Sequence, residues 1–229
     1  MNRVPIAHPV APHDALAVLA DRRAPFLLQS GMVDPDVGRF SFAGAEPTAS
    51  LVARGDGLEV TDHVTGRTTT RRGDGFAALR ELLAERARPV ADLPTPLPSG
   101  AVGFFSYDLA RRVERLPSIA EDDLGIPDIA VGFYDTVVTW DHATGETFAT
   151  GPGAADLAAA LEGAPPAKPR LPMLMAPLRS TFTRAEYLAA VVRAKELIAA
   201  GDIFQVNLSQ RFTTQIARSE EHTSELQSR

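Results

Sequence analysis

The spacing of apolar and polar residues predicts a chain built mainly from strands. Period-two alternation or short apolar runs between turn residues indicate strands at 25–30, 39–43, 50–53, 58–62, 67–71, 101–105, 129–135, 136–140 and 146–150. Helical spacing predicts helices over 14–20, 76–88, 156–161 and 186–200, with Phe76, Leu79, Leu82 and Leu83 as the apolar face of the second. Short turns join most of the strands, and parallel crossovers would need more helices. The pattern therefore predicts an α+β fold of mainly antiparallel sheets with flanking helices.

The stretch from Thr183 to Phe212 carries the clearest local signals. Thr183 followed by Glu186 is a capping box, and Gly201 stands where a left-handed residue usually ends a helix. The helix between them has an apolar stripe that should pack on other elements, made of Tyr187, Val191, Ala194 and Ile198. From Phe204 the period changes to two, which predicts a strand to Phe212. Its polar face carries Gln205 and Asn207, for which a structural role is favoured over direct chemistry.

Two glycines mark the run Gly100-Ala-Val-Gly-Phe-Phe105. We expect a buried strand here that leads into a short helix, because Gly100 and Gly103 allow close backbone approach. A phosphate-binding loop is the alternative. It is rejected because neither G-x-x-x-x-G-K nor a proper G-x-G-x-x-G is present.

Proline spacing suggests the division of the chain. Prolines at 165, 166, 169, 172 and 177 predict a stiff, extended linker. The expected organisation is an amino-terminal region over 1–164, a linker over 165–180, and a second region that begins at 181 and runs to 217. A separate tail occupies 218–229.

Composition and charge exclude several classes of protein. The chain has 23 Lys and Arg against 29 Asp and Glu, a net charge of -6, so a nucleic-acid partner is not expected. Cysteine is absent and the five histidines lack metal-ligand spacing, so the sequence indicates no thiolate or histidine metal site. Neither a secretory signal nor a membrane-length apolar segment is visible, and a cytoplasmic location is expected.

Two long segments resemble a known family. The runs A-G-D-I-F-Q-V-N-L-S-Q-R-F at 200–212 and G-A-V-G-F-F-S-Y-D-L-A-R-R-V-E-R-L-P at 100–117 are similar to component I of the chorismate-utilising enzymes anthranilate synthase and aminodeoxychorismate synthase. The resemblance implies a parent that aminates chorismate with ammonia from a glutamine amidotransferase subunit or domain. Q-V-N-L, Y-D-L-A-R-R and Gln29 favour the branch that makes 4-amino-4-deoxychorismate for p-aminobenzoate and folate. The alternatives are the anthranilate branch and a non-catalytic amino-acid-binding or structural module.

The segment F-L-L-Q-S followed by G-R-F-S-F-A resembles the amino-terminal signature of this family. The resemblance implies that Leu28, Ser30, Arg39 and Phe40 line an amino-acid pocket, which in anthranilate synthase binds the feedback inhibitor tryptophan. Gln29 stands where the pattern has an acid, so the carboxylate that could pair with a ligand ammonium group is missing. Leu28 and Phe40 would look the same as core residues, and for these two the core interpretation is preferred.

The resemblance also limits what is expected of the chain itself. The tail 218–229 resembles the translation of a sequencing adapter; a genuine polar tail is the alternative. In the family, the catalytic acids and the magnesium-binding carboxylates belong to a portion beyond the resemblance. No catalytic residue or metal ligand is therefore predicted in this chain. Magnesium is expected in the intact enzyme, and no cofactor is expected to bind here.

Overall fold

Strands outnumber helices along the chain, as the apolar pattern predicts. The structure, a computed structural model, describes residues 3–32, 34, 37–87, 93–119, 121–165, 173–174 and 176–217. The strands are β1 (Arg3–Pro5), β2 (Phe26–Leu28), β3 (Phe40–Gly44), β4 (Ala49–Arg54), β5 (Gly57–Asp62), β6 (Arg67–Arg72), β7 (Gly100–Phe105), β8 (Ile129–Tyr134), β9 (Val137–Asp141), β10 (Thr147–Thr150), β11 (Met173–Leu174), β12 (Arg179–Ser180), β13 (Phe212–Thr213) and β14 (Ile216–Ala217). The helices are α1 (Pro12–Val18), α2 (Gly75–Glu85), α3 (Ala154–Leu161) and α4 (Arg184–Ala200), with a 3-10 helix at Tyr107–Arg112. Two compact units divide the chain, Met1–Ala167 and Lys168–Arg229.

The first sheet has the order β1-β10-β9-β3-β2, and every neighbouring pair is antiparallel. Helices α1 and α3 pack on one face of this sheet, where Leu19 and Leu161 are fully buried among its apolar residues. Trp140, the one tryptophan of the sequence, is buried in the same cluster and donates its indole N–H to the carbonyl of Val10 over 3.1 Å. The main core of the chain therefore lies between this sheet and its two helices.

The second sheet has the order β6-β5-β4-β8-β7 and is also antiparallel throughout. Helix α2 covers one face, and its cap residue Asp74 accepts a hydrogen bond from the Ala77 amide over 2.7 Å. Gly75 lies so close to the sheet that a Cβ there would be 2.9 Å from the Ile129 side chain. With the first sheet, these elements confirm the predicted α+β class and its antiparallel strands.

A small aromatic cluster joins the two sheets. The rings of Phe26 and Tyr134 meet edge to face with centroids 4.6 Å apart, and Val137 is buried beside them. Phe42 from the first sheet and Val102 from the second pack against the same cluster. Aromatic contacts of this geometry add about 0.5–1.5 kcal/mol beyond the area they bury.

Helix α4 confirms the predicted capping signals. The Thr183 hydroxyl oxygen accepts from the Glu186 amide over 3.2 Å, the Glu186 carboxylate accepts from the Thr183 amide over 2.8 Å, and Gly201 ends the helix with φ of 80°. No residue of α4 is buried. Its half-buried face consists of Tyr187, Ala190, Val191, Ala194 and Leu197, so Leu197 replaces the predicted Ile198. Within the described ranges, no helix is long and apolar enough to span a membrane.

The predicted strand from 204 to 212 is wrong. The structure has only β13 and β14 at the end of this stretch, and each pairs with a two-residue strand, β12 and β11. Residues 203–211 have no strand, and Phe204 is 92% exposed. An alternating pattern stabilises a strand only where neighbouring backbone supplies the ladder hydrogen bonds. Within 203–211 the Arg211 carbonyl accepts from the Thr181 amide over 3.0 Å, and no strand extends over the rest of this described segment. The segment predicted as a linker contains β11 and β12; the domain limits predicted around it stay a prediction.

Two further expectations are corrected. The strand at Gly100–Phe105 is not buried, because β7 forms an edge of the second sheet and exposes both phenylalanines. The buried face of α2 is also rotated from the predicted one. Gly75, Ala78 and Leu82 are buried, whereas Phe76 and Leu83 are exposed, because close approach to the sheet requires small residues on the contact face.

Candidate functional site

The loop between β2 and β3 brings Ser30, Arg39 and Phe40 together. The Ser30 hydroxyl donates to the Phe40 carbonyl over 2.6 Å, and the Ser30 amide donates to the Ser41 hydroxyl over 3.1 Å. Both bonds tie the chain leaving β2 to the start of β3, so they close the base of the loop. Ser30 thus has a structural role at this position. Its hydroxyl proton is donated to the Phe40 carbonyl and is not free to bind a ligand.

Arg39 makes a bidentate ion pair with Asp141 at the end of β9. Its Nε lies 3.0 Å from Asp141 Oδ1, and its terminal nitrogen lies 2.7 Å from Oδ2. The hydrogen bonds from Arg39, with a further one from the Ala143 amide, hold the pKa of Asp141 at about 2 although its burial acts to raise it. The bond to Asp141 raises the pKa of Arg39. This paired geometry is the strong form of a charged contact. The guanidinium is therefore engaged within the chain rather than free for a ligand carboxylate.

Leu28 and Phe40 lie on the same face of the first sheet. Leu28 is opposite Phe42 in the β2–β3 register, and the Phe40 ring stacks on Phe42 at 5.9 Å between centroids. The Arg39 guanidinium lies 4.7 Å from the centre of the Phe40 ring. Neither Leu28 nor Phe40 is a core residue, since the first is 45% exposed and the second half-buried. The preferred core interpretation of these two residues does not hold, and the surface that they form is apolar and accessible.

Sequence reasoning missed three polar residues of this cluster. Ser41 and His142 are in contact through Oγ and Nε2 at 2.8 Å, and Asp141 holds Arg39. These contacts depend on the pairing of β3 with β9, which aligns Phe40 with Asp141 across a long stretch of sequence. The run Trp140-Asp141-His142 before a glycine turn indicated polar residues at the end of a strand. Sequence spacing alone does not show which strand pairs with it.

Clefts also lie on the second sheet within the described part of the chain, and they are lined by residues other than those of the predicted pocket. One is an open groove of 620 Å³ between β4, β5 and β6, lined by residues such as Val52, Glu59 and Thr70. Another, of 530 Å³, contains Arg72 and Arg112, and both pair with Asp56 at 3.2 and 2.6 Å. Arg111 also lines this cleft and pairs with Asp108 over 3.0 Å, so all three arginines already have carboxylate partners. Among the described residues, no cluster of three His, Asp or Glu could hold a metal ion.

Comparison with known families identifies the class of protein to which this fold belongs. The family model described as chorismate binding enzyme matches residues 34–226. The chain belongs to this family, as the segments at 100–117 and 200–212 predict. The match includes part of the tail 218–229, which lies outside the described residues; the adapter interpretation of that tail stays a prediction.

Curated relatives carry two different names at similar identity. Anthranilate synthase alpha subunit 2, chloroplastic, of Arabidopsis thaliana is 34% identical over 242 residues, covering 89% of this chain and 39% of that protein. Aminodeoxychorismate synthase component 1 of Escherichia coli (strain K12) is 35% identical over 189 residues, covering 81% of this chain and 41% of that protein. The chain thus spans about 40% of the length of these relatives.

A solved structure of similar fold is that of anthranilate synthase component I from Streptococcus pneumoniae TIGR4. The match has a TM-score of 0.58 and 21% sequence identity, and it covers 96% of this chain and 50% of that one. At this identity the likeness concerns the fold alone.

Proposed function

We propose that the chain is the amino-terminal portion of aminodeoxychorismate synthase component I, which aminates chorismate to 4-amino-4-deoxychorismate for p-aminobenzoate and folate. The 34–35% identity to enterobacterial proteins of that name over 81–82% of this chain supports a chorismate-aminating parent, and the sequence motifs named next carry the choice of branch. Q-V-N-L at 205–208, Y-D-L-A-R-R at 107–112 and the neutral Gln29 support the same branch. Chorismate is the substrate of the proposed whole enzyme, and a glutamine amidotransferase subunit or domain is its ammonia source.

Anthranilate synthase component I is the second candidate. The plant relatives named anthranilate synthase alpha subunit match at 34–35% identity over 89% of the chain, so identity does not separate the two branches. The difference lies in the ring position that receives the amino group. The resemblance assigns most of the chorismate pocket to a portion outside these 229 residues.

For the polypeptide of 229 residues, a non-catalytic role as an amino-acid-binding or structural module is proposed. The surface at Leu28 and Phe40, where the pocket is predicted, is apolar, whereas Arg39 and Ser30 are already engaged by Asp141 and Phe40. A ligand ammonium group would have no carboxylate at position 29. Weak or absent feedback by a free amino acid is the consequence. The magnesium site of the proposed enzyme is assigned to the portion outside this chain.

The branch can be tested on the complete enzyme. Genomic DNA downstream of codon 217 supplies the complete coding sequence, and the resulting protein is incubated with chorismate, magnesium and ammonium. The expected product is 4-amino-4-deoxychorismate, which chromatography and mass spectrometry distinguish from anthranilate. Anthranilate as the sole product would replace the first proposal by the second.

The isolated chain provides the complementary measurement. We expect no turnover of chorismate by the 229-residue protein with magnesium and ammonium, because ring amination requires metal-assisted and acid–base groups positioned together. Heat-denatured protein serves as the blank. Turnover that persists through repurification would show that the catalytic groups lie within these residues.

A further inference from the structure

The two edges of the second sheet have opposite chemistry. Strand β6 forms one edge with the sequence R-T-T-T-R-R, and all six residues are exposed. Strand β7 forms the other edge with G-A-V-G-F-F, where Phe104 and Phe105 are 45% and 54% exposed. Natural sheets protect their edges with charge, proline or bulges against pairing with another chain. The β6 edge is protected by charge in this way, and the β7 edge carries no charge.

The backbone of β7 offers a regular ladder on its open side. The Ser106 amide donates to the Asp128 carbonyl over 2.9 Å, in register with the β7–β8 pairing. Bonded positions alternate along an antiparallel pair, so the backbone groups of Ala101, Gly103 and Phe105 point away from β8. No further strand lies beside β7 in the described ranges. Three N–H and three C=O groups are thus arranged for strand addition.

The side chains of β7 are complementary to a second copy of the same strand. We propose that β7 is a self-association edge, at which two copies of this chain pair antiparallel about a twofold axis at Gly103. This register places Ala101 opposite Phe105 of the second copy and Val102 opposite its Phe104, and it keeps each pair on one face of the joined sheet. In both of these pairs a phenylalanine faces a smaller side chain.

Gly103 suits the axis of this pairing. A Cβ at this position would overlap the carbonyl oxygen of Ala130 on β8, so only glycine fits. Its two copies therefore meet without side chains, and the phenylalanines on either side can lean over the gap. The absence of charge on β7 also removes the repulsion that two copies of β6 would have, with three arginines each.

The first test measures association of the whole chain by analytical ultracentrifugation. A stable interface buries about 800 Å² on each partner, and an edge strand of six residues buries much less than that. A weak, concentration-dependent dimer is therefore expected. Phe104→Lys should weaken association at least about tenfold, since it buries a charge opposite Val102. The matched control Thr69→Lys, on the exposed β6 edge, should associate as the unchanged chain does. The proposal would be overturned if the unchanged chain were a monomer at all concentrations, or if both variants associated equally. The edge would then be open to pairing with a strand of a different polypeptide.

The second test examines the register by disulfide crosslinking. The sequence has no cysteine, so only the introduced cysteines can form a disulfide. Ala101→Cys and Phe105→Cys chains are mixed and oxidised; directly opposite residues have Cβ atoms about 4.5–5.5 Å apart, close enough for a disulfide after small adjustment. The mixture should yield several-fold more crosslinked dimer than either variant alone. Equal crosslinking in all three samples would contradict the twofold at Gly103. Val102→Cys with Phe104→Cys gives the same comparison if loss of Phe105 unfolds the chain.

Discussion

The two units of the chain are stabilised in different ways. In Met1–Ala167 the helices α1, α2 and α3 all bury residues against sheets. In Lys168–Arg229, α4 is the longest helix of the described part and buries no residue at all. Its ends are nevertheless well defined, by the Thr183–Glu186 capping box and by Gly201.

This difference between the two units distinguishes structure that is set by nearby residues from structure that depends on tertiary contacts. A capping box and a left-handed glycine act within one turn of a helix, so they need no partner elements. A strand depends on a neighbouring strand for its hydrogen bonds. The residues 204–212 have the alternating pattern of a strand, but most of them form no strand. We therefore expect the second unit to retain its helix and to contribute little to the cooperative stability of the chain.

Hydrogen exchange should show the largest contrast. Amides in the central strands of 25–150 should exchange only through global unfolding, whereas those of 203–211 should exchange close to the rate of an unstructured peptide. Helix α4 should lie between them. Exchange monitored by mass spectrometry on the 229-residue chain measures all three regions together. Strong protection of 203–212 in a monomer would mean that this segment has found a partner strand.

The same substitution made in each unit should have very different effects. Leu161→Ala removes a fully buried side chain from the core beneath α3 and should lower the free energy of unfolding by about 2–5 kcal/mol. Leu188→Ala on α4, where the leucine is 47% exposed, should change it by less than about 0.5 kcal/mol. Urea unfolding followed by circular dichroism gives both values. Comparable losses would show that α4 is packed as firmly as the core.

Ion pairs give a second matched comparison. Asp141→Asn removes the buried carboxylate that holds Arg39, and the pKa of about 2 implies a loss of about 2 kcal/mol at neutral pH. Glu196→Gln removes the exposed partner of Arg193 on α4 and should cost at most about 0.5 kcal/mol. Equal effects in urea titrations would indicate that the Arg39 pair is screened by solvent like a surface pair.

The Asp141 pair should also be visible as a pH dependence. Its folded pKa of about 2 is below the usual value of 3.8, so its stabilisation is fully present above pH 4 and is lost as the pH falls towards 2. Urea midpoints measured from pH 6 down to pH 2 should therefore fall less steeply for Asp141→Asn than for the unchanged chain. Parallel curves for the two proteins would show that the Arg39–Asp141 pair does not contribute to the acid sensitivity of the fold.

The smallest expected effect concerns the cap of α4. Thr183→Ala should destabilise the helix locally by about 1 kcal/mol, because the Glu186 amide loses its acceptor. Exchange of the first-turn amides should accelerate about fivefold, while the midpoint of the main core stays unchanged. Thr181→Ala, just outside the helix, is the control. A shift of the main midpoint by Thr183→Ala alone would couple the cap to the core.

Most elements of the first unit could be predicted because their patterns are local. The hairpin of β5 and β6 and the turn after β9 have glycines with positive φ at Gly66 and Gly145, where the chain reverses. Which strands form the edges could not be predicted, since that depends on the order of pairing. For this reason β7 was expected to be buried although it lies at an edge.

The candidate site was only partly predictable. The resemblance placed Ser30, Arg39 and Phe40 in one region, and the structure brings them into contact. It could not show that Asp141 occupies the Arg39 guanidinium, because the β3–β9 register joins residues about 100 positions apart. The pocket assignment itself stays a prediction until a ligand is tested.

The position of Trp140 makes the chain its own optical reporter. Its indole lies in the core between the first sheet and α1, with its N–H bonded to Val10. Emission excited selectively from this one tryptophan, at wavelengths where the three tyrosines do not absorb, therefore follows solvent entry into that core and does not report melting of α4. Circular dichroism, by contrast, records α4 together with the other helices. Divergence of the two signals during a urea titration would reveal, without any labelling, a state in which one unit has lost its structure and the other has kept it.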